Sequence, residues 1–480
     1  MKILNDIYTP VLHFKAPFGW LNDPNGLMYA NEQWHLFYQH YPMSNVWGPM
    51  HWGHAVSEDL VHWVHCPIAI APDELGTMFS GSGIIDKQND SGIFDGPSDN
   101  NLIIFYTASL HKEGQDDYQT QCLAYSKDCG LSWIKYEHNP VIPNPGLACY
   151  RDPKVVWIDD SRHWVLLVTH GQSVGIYKST NLISWELCSE FGDQEGLHSD
   201  GPWECPDLFP LTTEDGVTKW ILVVGIGNGC DAPGSGTQYF VGDFNGEQFT
   251  NGNPADTILY LDNGRDYYAT QSWFNAPSNK RVGISWMSNW RYARDTETLT
   301  FRSIMTLPRE FYLTVDAEDN YVVAQSFANQ VNEKFSNIAE ISETQLLSVK
   351  SSGAVYKITG QLNLIDGHTS GITLFGEDRA QFVIEYHGGK ITLSNRRVYH
   401  GSNPVMKQEF PHDYQFSKAC NESSVSFELI ADNGAVELLL DEGRISITQL
   451  YYPENPEGNI SLSGQGWSQV KLATCKQDIN

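Results

Sequence analysis

Short apolar runs recur along the first two thirds of the chain, each bounded by turn-forming residues. Five of these runs begin 68, 62, 56 and 61 residues apart, and their aromatic and β-branched residues favour strands. They span residues 34–39, 102–107, 164–169, 220–225 and 281–286. A strand-based repeat of about 60 residues predicts one blade of a β-propeller per repeat.

A second element recurs behind three of these runs. Segments 57–63, 126–133 and 179–185 each begin with Ser and end in Trp. We interpret each segment as a polar turn that places its Trp on the following strand. The region from about residue 12 to residue 315 is therefore predicted to hold five four-stranded blades around a central channel.

The pattern changes after Pro308, where the chain loses the 60-residue repeat. Residues 314–340 are polar and rich in Asp, Asn and Glu, and from about residue 341 apolar and polar positions alternate. Asp432-Asn433-Gly434 separates two alternating runs, which is a strong hairpin signal. We predict an all-β protein with a five-bladed β-propeller at 1–315, a linker at 316–340 and a C-terminal β-sandwich at 341–480.

Composition narrows the class of partner. The formal net charge is −28, whereas nucleic acid and anionic membranes require clustered Lys and Arg, so neither is an expected partner. We expect a small-molecule ligand. The oligomeric state stays open, with a homodimer through the sandwich as one option. No metal or cofactor is predicted, because His51, His54, His62 and His65 lack the spacing of metal ligands.

Cysteine usage bears on the cellular compartment. The nine cysteines are an odd number without a CxxC pair, and residues 1–10 lack a basic region followed by an apolar one. Reduced thiols in the cytoplasm are therefore expected. Secretion is the alternative if a leader has been removed from this sequence.

Three acidic residues lie at similar positions ahead of the repeated runs. Asp23, Asp152 and Glu204 precede their runs by 11, 12 and 16 residues. Equivalent positions on the first strands of different blades point toward one axis. The three acids are therefore predicted to meet at one mouth of the channel.

The local sequence around these acids indicates their chemistry. Proline follows Asp23 and Asp152 directly, which disfavours the α region and holds each carboxylate at an irregular point of the chain. Glu204 lies between Trp203 and Cys205, and desolvation by apolar neighbours favours a neutral carboxyl. Two facing carboxyl groups suit glycoside hydrolysis, in which one attacks or activates water and the other donates a proton.

Aromatic and amide side chains suit a sugar, because C–H faces pack on rings while hydroxyl groups need polar partners. The candidates for such a lining are Trp20, Gln39, Trp47, Phe79, Ser80, Tyr268 and Trp286.

Four ordered motifs together resemble the signature set of glycoside hydrolase family 32, the invertases, fructan exo-hydrolases and relatives. They are WLNDPNG at 20–26, FSG at 79–81, RDP at 151–153 and ECP at 204–206. The resemblance implies a five-bladed propeller followed by a β-sandwich. It also implies a retaining, exo-acting β-fructofuranosidase that releases terminal fructose from sucrose and β-fructans.

The resemblance further implies residue roles. Asp23 is the expected nucleophile, Glu204 the expected acid/base, and Asp152 is expected to bind fructose hydroxyls and stabilise the transition state. The expected fructose subsite is lined by Asn22, Gln39, Trp47, Phe79, Ser80, Arg151 and Trp286. Retention of configuration predicts that the two reacting carboxyls lie about 5–5.5 Å apart. We also expect Cys205 to influence the neighbouring Glu204 carboxyl through local polarity.

Four alternatives stay open at this stage. A sucrose-6-phosphate hydrolase ranks second, because no Lys or Arg cluster lies near the motifs. A fructosyltransferase would use the same residues with a different acceptor. A sialidase is suggested by the turn at 126–133, but it would need an arginine cluster and a Tyr nucleophile. A non-catalytic glycan-binding propeller would have no use for both a nucleophile and an acid.

Overall fold

The computed structural model describes residues 7–114, 117–342, 346, 348–350, 353–376, 380–454, 456 and 459–475. Its strands form seven sheets, of which five are the blades of a propeller and two are the layers of a sandwich. The first six and last five residues lie outside the described part, so part of the N-terminal segment without a leader pattern and the end of the predicted sandwich are not covered. The all-β prediction is confirmed.

Blades one to three each contain four consecutive antiparallel strands. Blade one contains β1 (Gly19–Ala30), β2 (Gln33–Tyr41), β3 (His51–Ser57) and β4 (Val64–His65). Blade two contains β5 (Thr77–Ile85), β6 (Leu102–Leu110), β7 (Tyr118–Ser126) and β8 (Ile134–Lys135). Blade three contains β9 (Tyr150–Ile158), β10 (His163–His170), β11 (Val174–Ser179) and β12 (Glu186–Phe191).

The last two blades carry additional short strands. Blade four contains β13 (Trp203–Thr212), β14 (Thr218–Ile226), β15 (Gly236–Phe244), β16 (Phe249–Asn251) and β17 (Leu259–Tyr260). The following strands are β18 (Tyr268–Ser272), β19 (Arg281–Met287), β20 (Phe301–Arg302), β21 (Ile304–Met305), β22 (Arg309–Val315) and β23 (Tyr321–Phe327). All of these except β20 form blade five, while β20 pairs in parallel with β1 of blade one.

The ring of blades closes through its first strands. β1, β5, β9, β13 and β18 contact one another in turn, and β18 also contacts β1. Beyond the end of β18, Phe274 continues this closure with two main-chain hydrogen bonds to β1, one with Leu27 at 3.0 Å and one with Tyr29 at 2.9 Å. The first strands therefore surround a common axis, as the repeat predicts.

The second strand of each blade explains the periodic pattern. All five predicted apolar runs fall within second strands, namely β2, β6, β10, β14 and β19. In β6 every residue except Leu110 is buried. A strand that is covered on both faces reads as an unbroken apolar run, because neither side chain direction meets water.

The three polar turns share one hydrogen-bonding arrangement. The Ser hydroxyl accepts the amide of the residue two positions later, and the Trp indole donates to a carbonyl three positions earlier. The indole–carbonyl pairs are Trp63 with Leu60, Trp133 with Gly130 and Trp185 with Leu182, at 3.1, 3.2 and 3.1 Å. Each turn thus fixes a Trp just ahead of the outer strand of its blade.

The C-terminal domain is a sandwich of two six-stranded sheets around a separate apolar core. One sheet contains β24 (Phe335–Glu340), β26 (Val355–Asn363), β31 (Ser424–Asp432), β32 (Ala435–Leu440), β33 (Ile445–Leu450) and β35 (Trp467–Cys475). The other contains β25 (Val349–Lys350), β27 (His368–Leu374), β28 (Ala380–His387), β29 (Lys390–Arg397), β30 (His412–Ala419) and β34 (Asn459–Gly464). The predicted hairpin is present, with Asn433 and Gly434 at φ +49° and +101° between β31 and β32.

The predicted boundary between the domains is wrong. The segment that reads as a linker, residues 316–340, contains β23 of the propeller and β24 of the sandwich. Its polar residues 316–320 form a tight turn, in which the Asp316 carboxylate accepts the amides of Glu318 and Asn320, both at 2.9 Å. A polar hairpin turn and a linker have similar composition, so composition alone misplaced the boundary.

Among the residues that the structure describes, helices are few and short. They are 3₁₀ turns at Pro277–Asn279 and Ala293–Asp295 and α-helices at Asn329–Asn332 and Pro404–Glu409. Within the described part of the chain, none of them has the length and apolar character that crossing a bilayer requires.

Buried ionic contacts join the propeller to the sandwich. Asp432 accepts the amides of Val11 and Leu12, both at 2.8 Å, and also contacts His13 Nδ1 at 2.8 Å. Glu437 contacts His13 Nε2 at 2.9 Å and accepts Arg309 Nε at 2.9 Å. His13 is thus held between two carboxylates of the sandwich, which ties the N-terminal segment to the other domain.

Candidate active site

All five first strands are interrupted near the same mouth of the channel. The strand pairing shifts at Leu21/Pro24 in β1, Phe79/Gly81 in β5, Arg151/Lys154 in β9, Glu204/Asp207 in β13 and Tyr268/Gln271 in β18. Such bulges insert residues that have no partner in the neighbouring strand and redirect the adjacent side chains. Asp23, Ser80, Asp152 and Cys205 all lie within these shifts, so irregular backbone presents them to the channel.

The Asp23 carboxylate is buried and held on one side only. Its Oδ2 accepts hydrogen bonds from Ser80 Oγ at 2.6 Å and from Cys205 Sγ at 3.4 Å. Oδ1 has no hydrogen-bond partner. Burial and then the charge of Glu204 raise the pKa of Asp23, while side-chain hydrogen bonds, of which that from Ser80 is the strongest, oppose the rise. One oxygen is therefore anchored and the other is available to a ligand.

Asp152 occupies a strained position between the other two acids. Its φ is +65°, a left-handed conformation that costs about 1–3 kcal/mol in a non-glycine residue. The amide of Cys205, itself at φ +49°, donates to Asp152 Oδ2 at 2.9 Å. Burial raises the pKa of Asp152 to about 7, with the charges of Glu204 and Asp23 adding to burial and Arg151 opposing it.

The Glu204 carboxyl accepts a hydrogen bond on each oxygen. Arg151 Nη2 donates to Oε1 at 2.8 Å, and the Tyr268 hydroxyl donates to Oε2. Arg151 Nε also lies 3.9 Å from Asp152 Oδ2, so one guanidinium contacts two of the three acids. The Cys205 thiol donates its hydrogen bond to Asp23, and the expected influence of Cys205 on Glu204 stays a prediction.

The three acids open into one cavity of about 290 Å³. Nine of the residues predicted from the sequence line it: Asn22, Asp23, Gln39, Trp47, Phe79, Ser80, Arg151, Asp152 and Glu204. The Trp47 ring is 40% exposed and meets Phe79 edge to face, with centroids 6.2 Å apart. A cavity that combines an exposed aromatic ring with carboxylates suits a sugar, which has both apolar and hydroxyl faces.

Three predicted lining residues, Trp20, Tyr268 and Trp286, are instead buried beneath the wall of the cavity. Trp20 Nε1 donates to Asn22 at 2.7 Å, and Tyr268 bonds to Glu204 as described above. Trp286 packs under Trp290, a cavity residue, with centroids 4.7 Å apart. Their large rings support the residues that line the cavity. They were predicted to line it themselves, but rings of this size fill the spaces between blades.

Unpartnered polar atoms cluster around this cavity. Gln39 Nε2 and Trp286 Nε1 are buried without a hydrogen-bond partner, as is Asp23 Oδ1. Buried polar groups are normally satisfied, so each such atom needs an explanation. Gln39 and Asp23 line the cavity, so one donor and one carboxylate oxygen without partners match a ligand that carries hydroxyl groups.

Four cavity residues were not predicted: Asp117, Gln119, Trp290 and Arg294. Gln119 is the second residue of β7 in blade two, and its side chain accepts the amide of Tyr150 at 2.8 Å. Trp290 and Arg294 lie in the segment that follows β19. The Trp-Arg sequence at 290–291 could have indicated a sugar-binding segment. Its position could not be predicted, because the other blades contain no equivalent segment.

The histidines of the first blade do not form a metal site. His54 Nε2 lies 3.1 Å from His35 Nδ1 and its ring stacks on Phe37 at 4.0 Å. His51 bonds to the Pro49 carbonyl at 3.0 Å and His62 to Asp59 at 2.6 Å. Within the described ranges, no group of three or more His, Cys, Asp or Glu is arranged to hold a metal ion.

Comparison with known families decides the class of this site. Residues 13–326 match the glycosyl hydrolases family 32 N-terminal domain, and residues 324–477 match the family 32 C-terminal domain. The chain belongs to glycosyl hydrolase family 32. The two matched regions meet near the end of β23, which agrees with the boundary that the sheets define.

Individual family 32 proteins resemble the whole chain. A levanase of Bacillus subtilis is 38% identical over 97% of this chain and 70% of its own length. An extracellular exo-inulinase of Aspergillus awamori is 33% identical over 96% of this chain and 92% of its own.

Solved family 32 structures show the same fold. An exo-inulinase structure from A. awamori superposes with a TM-score of 0.86 at 29% identity, covering 99% of both chains. A fructofuranosidase of Schwanniomyces occidentalis complexed with fructose has a TM-score of 0.84, at 27% identity and covering 97% of each chain. The prediction of a glycoside hydrolase acting on fructosides is therefore confirmed.

Proposed function

We propose that this family 32 protein is a retaining, exo-acting β-fructofuranosidase that removes terminal fructose from sucrose and from the ends of β-fructans. One observation carries the proposal: Asp23 keeps an unpartnered carboxylate oxygen in the cavity that also contains the Glu204 carboxyl. One group attacks while the other transfers protons, which is the division of labour in retaining glycosidases.

In the first step, Asp23 Oδ1 attacks the anomeric carbon of the terminal fructose. The bond from that carbon to the glycosidic oxygen breaks as Glu204 gives its proton to the departing oxygen. The hydrogen bonds on Oδ2 support this choice of atom, because Ser80 and Cys205 leave Oδ1 as the reactive oxygen. The product is a fructosyl ester of Asp23 and a free leaving group.

In the second step, water attacks the same carbon and Glu204 takes its proton. Fructose leaves with its original configuration, and Asp23 returns as a carboxylate. Arg151 supports the ionised Glu204 through its 2.8 Å contact with Oε1. The carboxyl therefore has a donor in place for the state that follows proton transfer.

Asp152 is proposed to bind fructose hydroxyls and to stabilise the positive charge that develops on the sugar. Its Oδ2 is anchored by Cys205, as Asp23 is anchored by Ser80. A nearby negative charge favours an oxocarbenium-like transition state over the neutral ground state.

The charges around the cavity favour a neutral sugar over a phosphorylated one. Four carboxylic residues, Asp23, Asp117, Asp152 and Glu204, face two arginines. Arg151 is already engaged by Glu204, which leaves Arg294 as the other cationic residue of the lining. A phosphate dianion would meet net repulsion there, so sucrose-6-phosphate ranks below sucrose and fructans.

Product analysis tests this proposal. The purified protein would be incubated with sucrose, sucrose-6-phosphate, inulin and levan, and the sugars released would be separated by chromatography. We expect free fructose as the first and dominant product from sucrose and from fructan ends, and none from the Asp23→Asn variant. Release of internal oligosaccharides, or preference for the phosphate ester, would contradict the proposal.

The cytoplasmic location stays a prediction. Short fructosides would be the substrates met there, and fractionation of cells producing the untagged protein would test it.

A further inference from the structure

A second large cavity lies at the opposite end of the propeller channel from the three acids. Its lining comes from the hairpins that join first to second strands in blades two, three and five, whereas the acids lie near the starts of first strands. Strand β9 contributes a residue to each cavity, with Asp152 near its start and Trp157 near its end. Five residues of strand separate them by about 16 Å.

Three aromatic rings, together with Ile85, form the apolar part of this second cavity. Trp157 meets Trp164 edge to face with centroids 5.0 Å apart, and Trp164 stacks on Phe274 at 6.3 Å with an interplanar angle of 29°. The cavity volume is about 620 Å³, roughly twice that of the active-site cavity. It therefore has room for more than the single sugar unit that the active site is proposed to bind.

The two indole rings are fixed in place by carboxylates. Trp157 Nε1 donates to Asp159 at 2.8 Å, and Trp164 Nε1 donates to Asp90 at 2.9 Å. A ring whose polar atom is already bonded presents its apolar face without further ordering, which lowers the entropy cost of binding. Trp157 is only partly buried, so part of its ring is accessible to a ligand.

The polar side chains of the cavity argue against a charged ligand. Lys87 forms an ion pair with Asp99 at 2.7 Å, which neutralises both. The remaining polar lining combines carboxylates with amides such as Gln88 and with Arg162. This mixture offers donors and acceptors in several directions without an excess of positive charge, as a neutral polyhydroxylated molecule requires.

We propose that this cavity is a second carbohydrate-binding site, which holds a stretch of a β-fructan chain against Trp157 while the active site takes a chain end. The proposal rests on the proposed function, since that function supplies the identity of the sugar. Two sites that bind one polymer raise its effective concentration at the enzyme, even when the second site is weak.

Substitution of the exposed ring tests the second site. We expect Trp157→Ala to raise KM for levan or inulin by about threefold to tenfold, as for the loss of one aromatic contact, with kcat unchanged. KM and kcat for sucrose should stay at wild-type values, because sucrose engages the active site alone. Gln88→Ala, an exposed change that leaves the core intact, should raise the polymer KM in the same direction.

Trp220→Ala is the matched control. Trp220 is a half-buried residue of blade four that meets Phe244 edge to face at 5.2 Å and 63°, close to the Trp157–Trp164 geometry. It lies outside both cavities. We expect Trp220→Ala to leave the polymer KM unchanged, so a rise there as large as in Trp157→Ala would overturn the proposal, as would an unchanged polymer KM in Trp157→Ala.

Direct binding separates this proposal from the proposed function. Asp23→Asn protein would be run in native gels that contain levan or inulin, with free fructose added to occupy the active site. We expect retardation that is lost when Trp157→Ala is added. Equal retardation in both proteins, or equal retardation by a glucan, would overturn the second fructan site. Failure of the wild type to hydrolyse sucrose would instead overturn the proposed function.

Discussion

The Tyr268 hydroxyl donates a hydrogen bond to Glu204 Oε2 from a ring that is almost completely buried beneath the cavity. The other oxygen of that carboxyl accepts from Arg151. Because an arginine only donates, the proton of a neutral Glu204 resides on Oε2, the oxygen that Tyr268 orients. Burial and then the charge of Glu204 raise the pKa of Tyr268 well above its usual value, so its hydroxyl remains a donor.

Replacing Tyr268 by Phe should therefore impair proton delivery without removing the acid. We expect kcat on sucrose to fall by about tenfold to a hundredfold, a part of what a positioned acid contributes, with KM little changed. The phenyl ring keeps its packing against Gly225, where an added Cβ would come within 3.0 Å of the Tyr268 ring. Steady-state kinetics on sucrose provide the measurement.

An activated aryl fructoside distinguishes positioning from a general structural effect. Its leaving group needs little protonation, so Tyr268→Phe should lose much less activity on it than on sucrose. Tyr239→Phe, a buried tyrosine of β15 outside the active-site cavity, serves as the control. Equal losses on the two substrates would show that Tyr268 does not act through Glu204.

Removing either reacting carboxyl should abolish most turnover. We expect Asp23→Ala and Glu204→Ala each to lower kcat at least ~10³-fold, because each removes a whole catalytic function. With the aryl fructoside, azide should give a fructosyl azide of retained configuration in Glu204→Ala, because Asp23 still forms the intermediate, and one of inverted configuration in Asp23→Ala, because azide then attacks the substrate directly. Near-normal sucrose turnover in either variant would refute the roles, and Asp243→Ala, an exposed acid of blade four, provides the control.

The acid cluster should cost stability, and the cost should depend on pH. Burial raises the pKa of Asp152 from 3.8 to about 7, so its ionised form destabilises the folded state increasingly as pH rises from 4 toward 7. Asp152→Asn should therefore melt at a higher temperature than wild type at pH 8, and the gain should shrink toward pH 4. The activity of Asp152→Asn should be far below that of the wild type at both pH values. A pH-independent difference in melting temperature would contradict this account.

The interdomain histidine predicts a loss of stability in the same direction, as pH rises, but in a higher pH range. Burial lowers the pKa of His13, but its hydrogen bonds to Asp432 and Glu437 outweigh burial and raise it to about 9. This contact stabilises the fold fully below pH 6.5 and loses its effect as pH rises through 9.

Urea unfolding at pH 6 and pH 9.5 measures this effect. The free energy of unfolding of the wild type should fall between the two pH values by more than that of His13→Gln. His163→Gln, which alters a histidine bonded to the Gly246 carbonyl, should behave like the wild type. Parallel losses in wild type and His13→Gln would show that His13 does not carry the effect.

The propeller was predictable because its blades repeat. Strands such as β6 and β10 are covered on both faces by neighbouring blades, so apolar runs mark them without any knowledge of tertiary contacts. The same spacing located Asp23, Asp152 and Glu204, since each lies near the start of a first strand. Their convergence required only that the ring close, and the first strands do contact one another in a ring.

Features outside the repeat were not predictable in the same way. Trp290 and Arg294 reach the cavity from a segment after β19 that has no equivalent in other blades. The sequence predicts Tyr268 as an aromatic residue that contacts the sugar, but its burial depends on how blades four and five pack. The polar turn at 316–320 resembles a linker because turns and linkers use the same residues.

Because the first strands are interrupted at the channel mouth, the position of the acidic side chains depends on the number of residues in these strands as well as on their identity. Deleting one residue beside Asp152 would restore regular pairing in β9 and turn the following side chains to the opposite face of the blade. The carboxylate would then enter the packing between blades instead of facing the substrate. We therefore expect this mouth to tolerate substitutions better than insertions or deletions, which the connections between strands accommodate more readily.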